Sequence, residues 1–240
     1  MKKFNPEVVI HLAWEGIPDY SKSISQKNLD NSIYLIDFIL DNTTCKKVIV
    51  SGSCWEYDNA SGECIETEKV EGLKNHFTWA KNSLRKEAEL LCKKKSLSFA
   101  WFRIFYIYGP GQRLGSLLPT IFINLKEGKL PQIHSPFNSN DYIFIDDVVD
   151  AFTIASTISF SSGVYNLGSG VSTNAIQVCR YAEKLVSNSS NLSNKLQSKS
   201  SPKLTDEDFW AEMTLTTKSL IWKPKTNLTS GIKLTWESLS

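Results

Sequence analysis

Ser53 and Lys81 are the two reactive residues whose surroundings suggest a chemical site. Ser53 follows the apolar run KVIV, and a hydroxyl at the end of a buried strand can hydrogen-bond a substrate oxygen. Lys81 lies in the segment NHFTWAK, where Phe77 precedes it by four residues and therefore shares its helical face. A phenyl ring has no proton to give, and His76 points roughly 100° away around the helix. Ser53 and Lys81 are therefore candidate hydroxyl and ammonium groups for a site, and Phe77 adds no titratable group beside the lysine.

The segments that carry these residues alternate between apolar runs and helical spacing. Residues 6–14 (PEVVIHLAW) and 46–53 (KKVIVSGS) are rich in β-branched residues, which is typical of strands buried on both faces. Residues 28–42 lie between them with apolar side chains at helical spacing, and this order predicts a right-handed crossover. A helix over residues 75–95 and a strand over residues 99–109 repeat the pattern. Together these segments predict half of a doubly wound sheet.

Further elements follow in the second half of the chain. Residues 141–152 predict a strand that runs into a helix, with Asp146 or Asp147 as the helix cap. Residues 163–170 (GVYNLGSG) predict a further strand and a glycine turn, followed by a helix. Residues 187–202 are dominated by Ser, Asn and Lys, which predicts a polar linker with little to bury.

Composition excludes several classes of protein. The 240-residue chain is 41% hydrophobic and 22% charged, as ordinary globular proteins are. A net charge of +2 offers no field for nucleic acid or an anionic membrane, and no apolar run has the length of a membrane span. The five cysteines include no C-x-x-C pair, which suggests neither a disulfide framework nor a metal site. We expect a soluble cytoplasmic protein with no metal and no nucleic-acid or membrane partner.

Six blocks, taken in order, resemble the extended short-chain dehydrogenase/reductase family, in its NAD(P)-dependent sugar-nucleotide epimerase/dehydratase branch. The resemblance implies a partial doubly wound, Rossmann-like parallel sheet that lacks its first βαβ units, because HLAW resembles the family's fourth strand. It divides the chain into an incomplete NAD(P)-binding part, residues 1–109, and a smaller substrate-binding part, residues 110–240, with residues 141–170 returning to the sheet. The blocks are VVIHLAW (8–14), the helix from Asn28, VIVSGSCWEY (48–57), RIFYIYGPGQ (103–112), DYIFIDDVVDA (141–151) and GVYNLGSG (163–170).

The resemblance also implies roles for single residues. Family members exchange hydride between a sugar carbon and bound NAD or NADP, with the catalytic serine holding the substrate oxygen and a Tyr-x-x-x-Lys pair transferring the proton. Ser53 and Lys81 match this catalytic set, but Phe77 occupies the tyrosine position, and the glycine-rich turn for the pyrophosphate has no counterpart. The implied cofactor-binding residues are His11, Ala13, Lys81 and Arg103. The implied substrate-binding residues are Tyr106, Arg113 and Asn140, the last in place of an arginine that pairs with the nucleotide diphosphate.

Three functional hypotheses follow for the chain. In the first it is a nucleotide-sugar epimerase, dehydratase or 4-keto reductase of surface-polysaccharide metabolism. In the second it is a non-catalytic remnant that binds a sugar nucleotide or a protein partner, and in the third it is one piece of a split reading frame. Phe77 lies inside otherwise matched sequence, so it weighs more heavily against activity than the missing glycine turn does.

The first strand has a further physical consequence. With nothing before it to pair with, VVIHLAW predicts an open apolar sheet edge, and such an edge promotes association or homodimer formation. Because the pyrophosphate turn has no counterpart, we also expect this chain alone to bind no NAD(H) near physiological concentrations.

Overall fold

The computed structural model of the chain describes residues 3–58, 60–70 and 74–239. Its first half alternates strands and helices: β1 (Val8–His11), α1 (Lys22–Asn42), β2 (Lys47–Ser51), β3 (Gly62–Cys64), α2 (His76–Lys94), β4 (Ser98–Ile104) and β5 (Tyr106–Tyr108). The second half comprises α3 (Leu117–Lys126), β6 (Ser139–Phe144), α4 (Ile145–Thr157), β7 (Gly163–Leu167), β8 (Ser172–Asn174), α5 (Ala175–Ser187), α6 (Asn191–Lys199), β9 (Asp208–Ala211), α7 (Thr214–Leu220) and α8 (Leu228–Glu237). None of these helices is long and apolar enough to cross a membrane.

The main sheet is parallel, with strand order β1-β2-β4-β7. Along β2, Val48 and Val50 pack into the cluster with α1 and α2, whereas Ile49 packs into the cluster with α4 on the opposite face. Successive side chains of a strand point to opposite faces, so an uninterrupted apolar run is what a sheet covered on both sides requires. This arrangement confirms the predicted α/β class and parallel sheet.

Strand β1 forms one edge of the main sheet, and the described residues place no strand on its outer side. Ile10 and Leu12 remain 41% and 58% exposed. An open parallel strand with exposed apolar side chains is a site at which further polypeptide can pair.

A second sheet has the order β3-β9-β6-β5, with β8 antiparallel to β6. The prediction of one continuous strand over residues 99–109 is wrong, because the chain changes sheets at Phe105. The Phe105 backbone N–H still donates to the Leu167 carbonyl oxygen of β7, whereas Tyr106–Tyr108 pairs with β6. Strand β7 lies in the main sheet and β6 in the second one. The division of the chain at residue 109 stays a prediction.

Two local predictions in the second half are also wrong. Neither Asp146 nor Asp147 caps α4. The Asp147 carboxylate instead accepts hydrogen bonds from the backbone N–H groups of Lys225 and Thr226, at 2.9 and 3.0 Å, and so fixes the segment before α8.

The predicted polar linker contains helix α6. The Glu183 carboxylate of α5 accepts the backbone N–H groups of Leu192 and Ser193, each at 2.8 Å, at the start of this helix. Leu196, one turn after Leu192, is buried in the cluster with α5. The burial of Leu196 and the capping of the helix start by Glu183 therefore order a segment that is mostly polar.

Candidate functional site

A cavity of about 700 Å³ opens where β1, β2 and β4 end, and we call it the strand-end cavity. The chain after β1 contributes Leu12, Trp14 and Tyr20, the chain after β2 contributes Ser53 and Trp55, and α4 closes another side. Ligands of open parallel sheets bind at this end, outside the carboxyl ends of the strands. Its volume lies within the range of small-molecule sites.

Lys81 projects into the strand-end cavity from the second turn of α2. Its Nζ donates a hydrogen bond to the Ser51 carbonyl oxygen at 2.8 Å and lies 4.1 Å from the centroid of the Trp14 ring. Burial lowers the pKa of Lys81 to about 8, against an opposing effect of the Glu56 carboxylate. The ammonium group is therefore held by a backbone dipole and an aromatic face.

Phe77 lies one turn before Lys81, on the same side of α2. The Asn75 side chain caps this helix by accepting the Thr78 backbone N–H at 2.9 Å, which fixes the first turn. The Phe77 ring is 8% exposed and meets the Trp14 and Tyr20 rings at centroid distances of 5.5 Å each. His76 is exposed, so it does not substitute for a proton donor at this position.

Ser53 also lines the strand-end cavity, beyond the end of β2. Its Oγ accepts the Trp55 backbone N–H at 3.2 Å, and its own N–H donates to Glu56 at 2.8 Å. Gly52 must be glycine here, because a Cβ would lie 2.2 Å from Trp101 Nε1 and 2.6 Å from Glu56 Oε1. The serine is therefore placed by a tight turn that a buried carboxylate supports.

Arg103 lies in a buried network and does not line the cavity. Its Nε donates to Glu56 at 3.2 Å, and its Nη1 donates to the Glu66 carbonyl oxygen at 3.2 Å. The guanidinium carbon stands 4.5 Å from the centroid of the Tyr57 ring. These contacts fix the guanidinium group behind the cavity wall, and the cofactor role implied by the resemblance stays a prediction.

The two other residues assigned to a cofactor stand beside the cavity without lining it. His11 is buried, and burial together with the charge of Lys81 lowers the pKa of its imidazole. Ala13 is exposed. Successive side chains of a strand point to opposite faces, so Ile10 and Leu12 face the cavity whereas His11 and Ala13 do not.

A second cavity of about 440 Å³ adjoins the first, and we call it the polar cavity. Tyr106, Trp55 and Ile107 line both cavities, and the Trp55 Nε1 donates to the Tyr106 hydroxyl at 3.0 Å. Asn140 lines the polar cavity from β6. Arg113 is exposed outside it, with its Nη1 3.4 Å from the Ile17 carbonyl oxygen.

Sequence reasoning assigned no role to several residues that shape the two cavities. The aromatic wall of Trp14, Tyr20 and Trp55 is one such feature, and Gln112 of the polar cavity is another. Trp14 and Trp55 each follow closely on a buried strand, and this placement was the available signal. The part of the chain that the structure describes contains no cluster of metal-ligating side chains.

These features define an α/β protein with a parallel sheet and a ligand crevice at the carboxyl ends of its strands. A family model described as the NAD dependent epimerase/dehydratase family matches residues 1–168. The chain therefore belongs to the NAD dependent epimerase/dehydratase family, which confirms the assignment from the six sequence blocks.

Two curated relatives act on nucleotide-linked sugars according to their names. The chain is 27% identical over 191 residues to dTDP-D-glucose 4,6-dehydratase of Dictyostelium discoideum, a match that covers 72% of this chain and 44% of the relative. It is 26% identical over 182 residues to dTDP-4-dehydro-6-deoxyglucose reductase of Escherichia coli, covering 72% of this chain and 57% of the relative. The chain thus spans about half the length of these relatives.

A solved structure shows the same fold over nearly the whole chain. It is the UDP-glucuronic acid 4-epimerase of Bacillus cereus in complex with UDP-glucuronic acid and NAD, with a TM-score of 0.78 and 19% sequence identity. The match covers 99% of this chain and 77% of that one. At this identity the likeness shows the fold alone.

The residues described here do not fit a complete NAD site. The turn that follows β7 carries Gly168 and Gly170, but its Ser169 and Gly170 backbone N–H groups already donate to the Asp141 carboxylate, at 2.6 and 2.9 Å. Lys81, the cation of the strand-end cavity, has its ammonium group bound by Ser51 and Trp14. The Ser169 and Gly170 backbone N–H groups are therefore not free to receive a pyrophosphate, and no chemical step through the cofactor is derived for this chain.

Proposed function

We propose that this chain binds a nucleotide-linked sugar across its two adjoining cavities and by itself does not turn it over. One observation carries the proposal. Phe77 fills the place one helical turn before Lys81, inside the strand-end cavity, where a proton-transfer group would have to stand. Losing a positioned general acid or base lowers a rate by about 10²- to 10⁴-fold.

The shape of the site supports binding of an elongated ligand. The strand-end cavity and the polar cavity share Trp55 and Tyr106 at their common boundary. Sugars and bases both stack on aromatic side chains, and both cavities offer such faces. The dTDP-sugar and UDP-sugar names of the relatives and of the matched structure agree with this class of ligand.

A second candidate is that activity requires a further polypeptide segment that pairs with β1. The open outer side of β1, with Ile10 and Leu12 exposed, favours it. In this reading the chain contributes the sugar-binding cavities and the added segment contributes the cofactor's phosphate site. Phe77 would still limit catalysis in the completed assembly.

The cellular setting is part of the proposal. A cytoplasmic location is supported by the five cysteines, all of which are buried and unpaired. A role in surface-polysaccharide sugar metabolism rests on the family resemblance alone.

Titration calorimetry with UDP-glucose, UDP-glucuronic acid and dTDP-glucose tests the binding claim. At least one should bind, and Trp55→Ala should weaken it at least tenfold, whereas Trp79→Ala, on the exposed side of α2, should not. Incubation of the same sugars with the chain and NAD, followed by NMR, tests the catalytic claim. Turnover by the unaltered chain would refute it, and absence of binding to all three sugars would refute the proposed function.

A further inference from the structure

The polar cavity contains two buried oxygen atoms without hydrogen-bond partners, Gln112 Oε1 and Asn140 Oδ1. They are two of the four such side-chain atoms among the described residues. A buried acceptor that is left unpaired destabilises a folded protein, so buried polar groups nearly always have partners. Two of them in one cavity indicate a ligand that donates hydrogen bonds.

The orientation of both side chains supports this reading. Gln112 Nε2 donates to the Ile107 carbonyl oxygen at 3.2 Å, which leaves the oxygen end of the amide as the free group. Asn140 is 9% exposed and is held in β6, where its neighbour Asp141 accepts four hydrogen bonds from Ser169, Gly170 and Ala211. Asn140 is therefore fixed within β6, and Gln112 is tied to the end of β5 by its amide nitrogen.

The charge of the cavity limits the ligand further. Glu207 is the one charged side chain among the described residues that line it, and Lys74 neutralises this carboxylate at 2.9 Å. A phosphate group buried here would meet no free cation, and an unpaired buried charge is strongly disfavoured. The aromatic rings of Trp55, Tyr106, Tyr108 and Tyr142 instead offer faces for an uncharged ring.

We propose that Gln112 and Asn140 are specificity-determining acceptors, and that the polar cavity selects an uncharged ring by its N–H or O–H donors rather than by a diphosphate. This inference rests on the proposed binding of a nucleotide-linked sugar. A pyrimidine base offers an imide N–H and a sugar offers hydroxyls, so the ring can come from either end of such a ligand. The diphosphate then contributes little to affinity.

Calorimetry on the full chain tests the claim with matched pairs of probes. Uridine is compared with UDP, and methyl glucoside with glucose 1-phosphate. For the pair that binds, adding the phosphate should change Kd less than fivefold. If the cavity binds the base, 3-methyluridine, which lacks the imide N–H, should bind at least tenfold more weakly than uridine. If the cavity binds the sugar, an O-methylated glucoside should bind at least tenfold more weakly than methyl glucoside. A phosphate-bearing probe that binds at least fivefold tighter than its uncharged partner overturns the inference.

Variants of Asn140 separate the acceptor from the rest of the side chain. Asn140→Gln keeps an uncharged amide acceptor and should bind the uncharged probe more tightly than Asn140→Leu, which removes the acceptor and should weaken binding about tenfold. Asn194→Leu, on the exposed side of α6, is the matched control and should change nothing. Gln112→Met provides a second loss of an acceptor if Asn140→Leu does not fold.

The proposed function and the role of the two acceptors can be refuted separately. If neither the nucleotide sugars nor their fragments bind, the proposed function is wrong and the inference falls with it. If the nucleotide sugars bind but Asn140→Leu and Gln112→Met both bind the uncharged probe as the original chain does, the acceptors are not used. The inference then fails while the proposed function stands.

Discussion

The ammonium group of Lys81 lies 4.1 Å from the centroid of the Trp14 ring and 5.9 Å from that of Phe77. The charge therefore rests against an indole ring from the loop after β1, with the Ser51 carbonyl oxygen as its hydrogen-bond acceptor. A lysine in this setting is buried without a carboxylate partner. The free energy of unfolding should therefore depend on whether Lys81 is protonated.

The free energy of unfolding should rise with pH through Lys81. The pKa of this lysine is about 8 in the folded chain, against 10.5 in the unfolded one. Between these values the unfolded state binds more protons, so stability increases as the pH rises, by roughly 3 kcal/mol in total. Burial raises the pKa of the Cys64, Cys92 and Cys179 thiols to about 12, which lowers stability over the same pH range, so denaturant titrations should show the Lys81 contribution as the difference between the original chain and Lys81→Met. An identical pH dependence in the two proteins would contradict the assignment.

Replacing Phe77 by alanine should destabilise the chain by about 3 kcal/mol, the lower end of the range for a buried phenylalanine, because its ring borders a cavity on one side. Urea unfolding measures the loss. Phe4→Ala serves as the control, since this ring is 83% exposed and its removal should change stability by less than about 0.5 kcal/mol. Equal losses in the two variants would show that the aromatic contacts of Phe77 contribute nothing.

Removing Arg103 should destabilise the chain by about 3–5 kcal/mol, because it leaves the Glu56 carboxylate buried without its cation. Arg103→Leu, followed by thermal and urea unfolding, measures this. Lys46→Met removes a solvent-exposed ion pair with Glu7 and should leave the melting temperature nearly unchanged. A small loss in Arg103→Leu would mean that the arginine is free for another role, including the cofactor role implied by the resemblance.

The chain should associate through the open side of β1. The outer edge of β1 has no partner strand among the described residues, and Ile10 and Leu12, which face the strand-end cavity, leave exposed apolar surface beside that edge. Sedimentation velocity should detect dimers or larger species, and Ile10→Lys combined with Leu12→Lys should reduce them. Leu204→Lys removes a fully exposed leucine far from β1 in sequence and should have no effect. A monodisperse, cooperatively melting monomer would contradict this prediction.

NAD(H) should not bind measurably to this chain alone at concentrations up to about 1 mM, which corresponds to a binding free energy of roughly 4 kcal/mol. The reason is that the glycine-rich turn for the pyrophosphate has no counterpart in this sequence, and the N–H groups of the Gly168–Gly170 turn, which could have replaced it, already donate to Asp141. Calorimetry with NAD and NADH measures the affinity, and micromolar binding would contradict the prediction. Phe77→Tyr provides a useful comparison, because it adds a hydroxyl to the strand-end cavity without adding a phosphate site.

The sequence by itself determined the α/β class, the family and the position of Phe77 relative to Lys81. Local patterns suffice for these features. A run of β-branched residues such as Val48–Val50 favours a strand that is covered on both faces. The four-residue spacing of Phe77 and Lys81 likewise fixes their common helical face. The same geometry turns His76 away from that face, and the structure shows it exposed.

Tertiary contacts decided what local patterns could not. The strand predicted over residues 99–109 divides between two sheets, because its pairing depends on β6 and β7, which lie far along the chain. Helix α6 depends on the carboxylate of Glu183 and on burial of Leu196 against α5. Only the fold pairs Arg103 with Glu56, and only the fold brings the unpaired oxygens of Gln112 and Asn140 into one cavity.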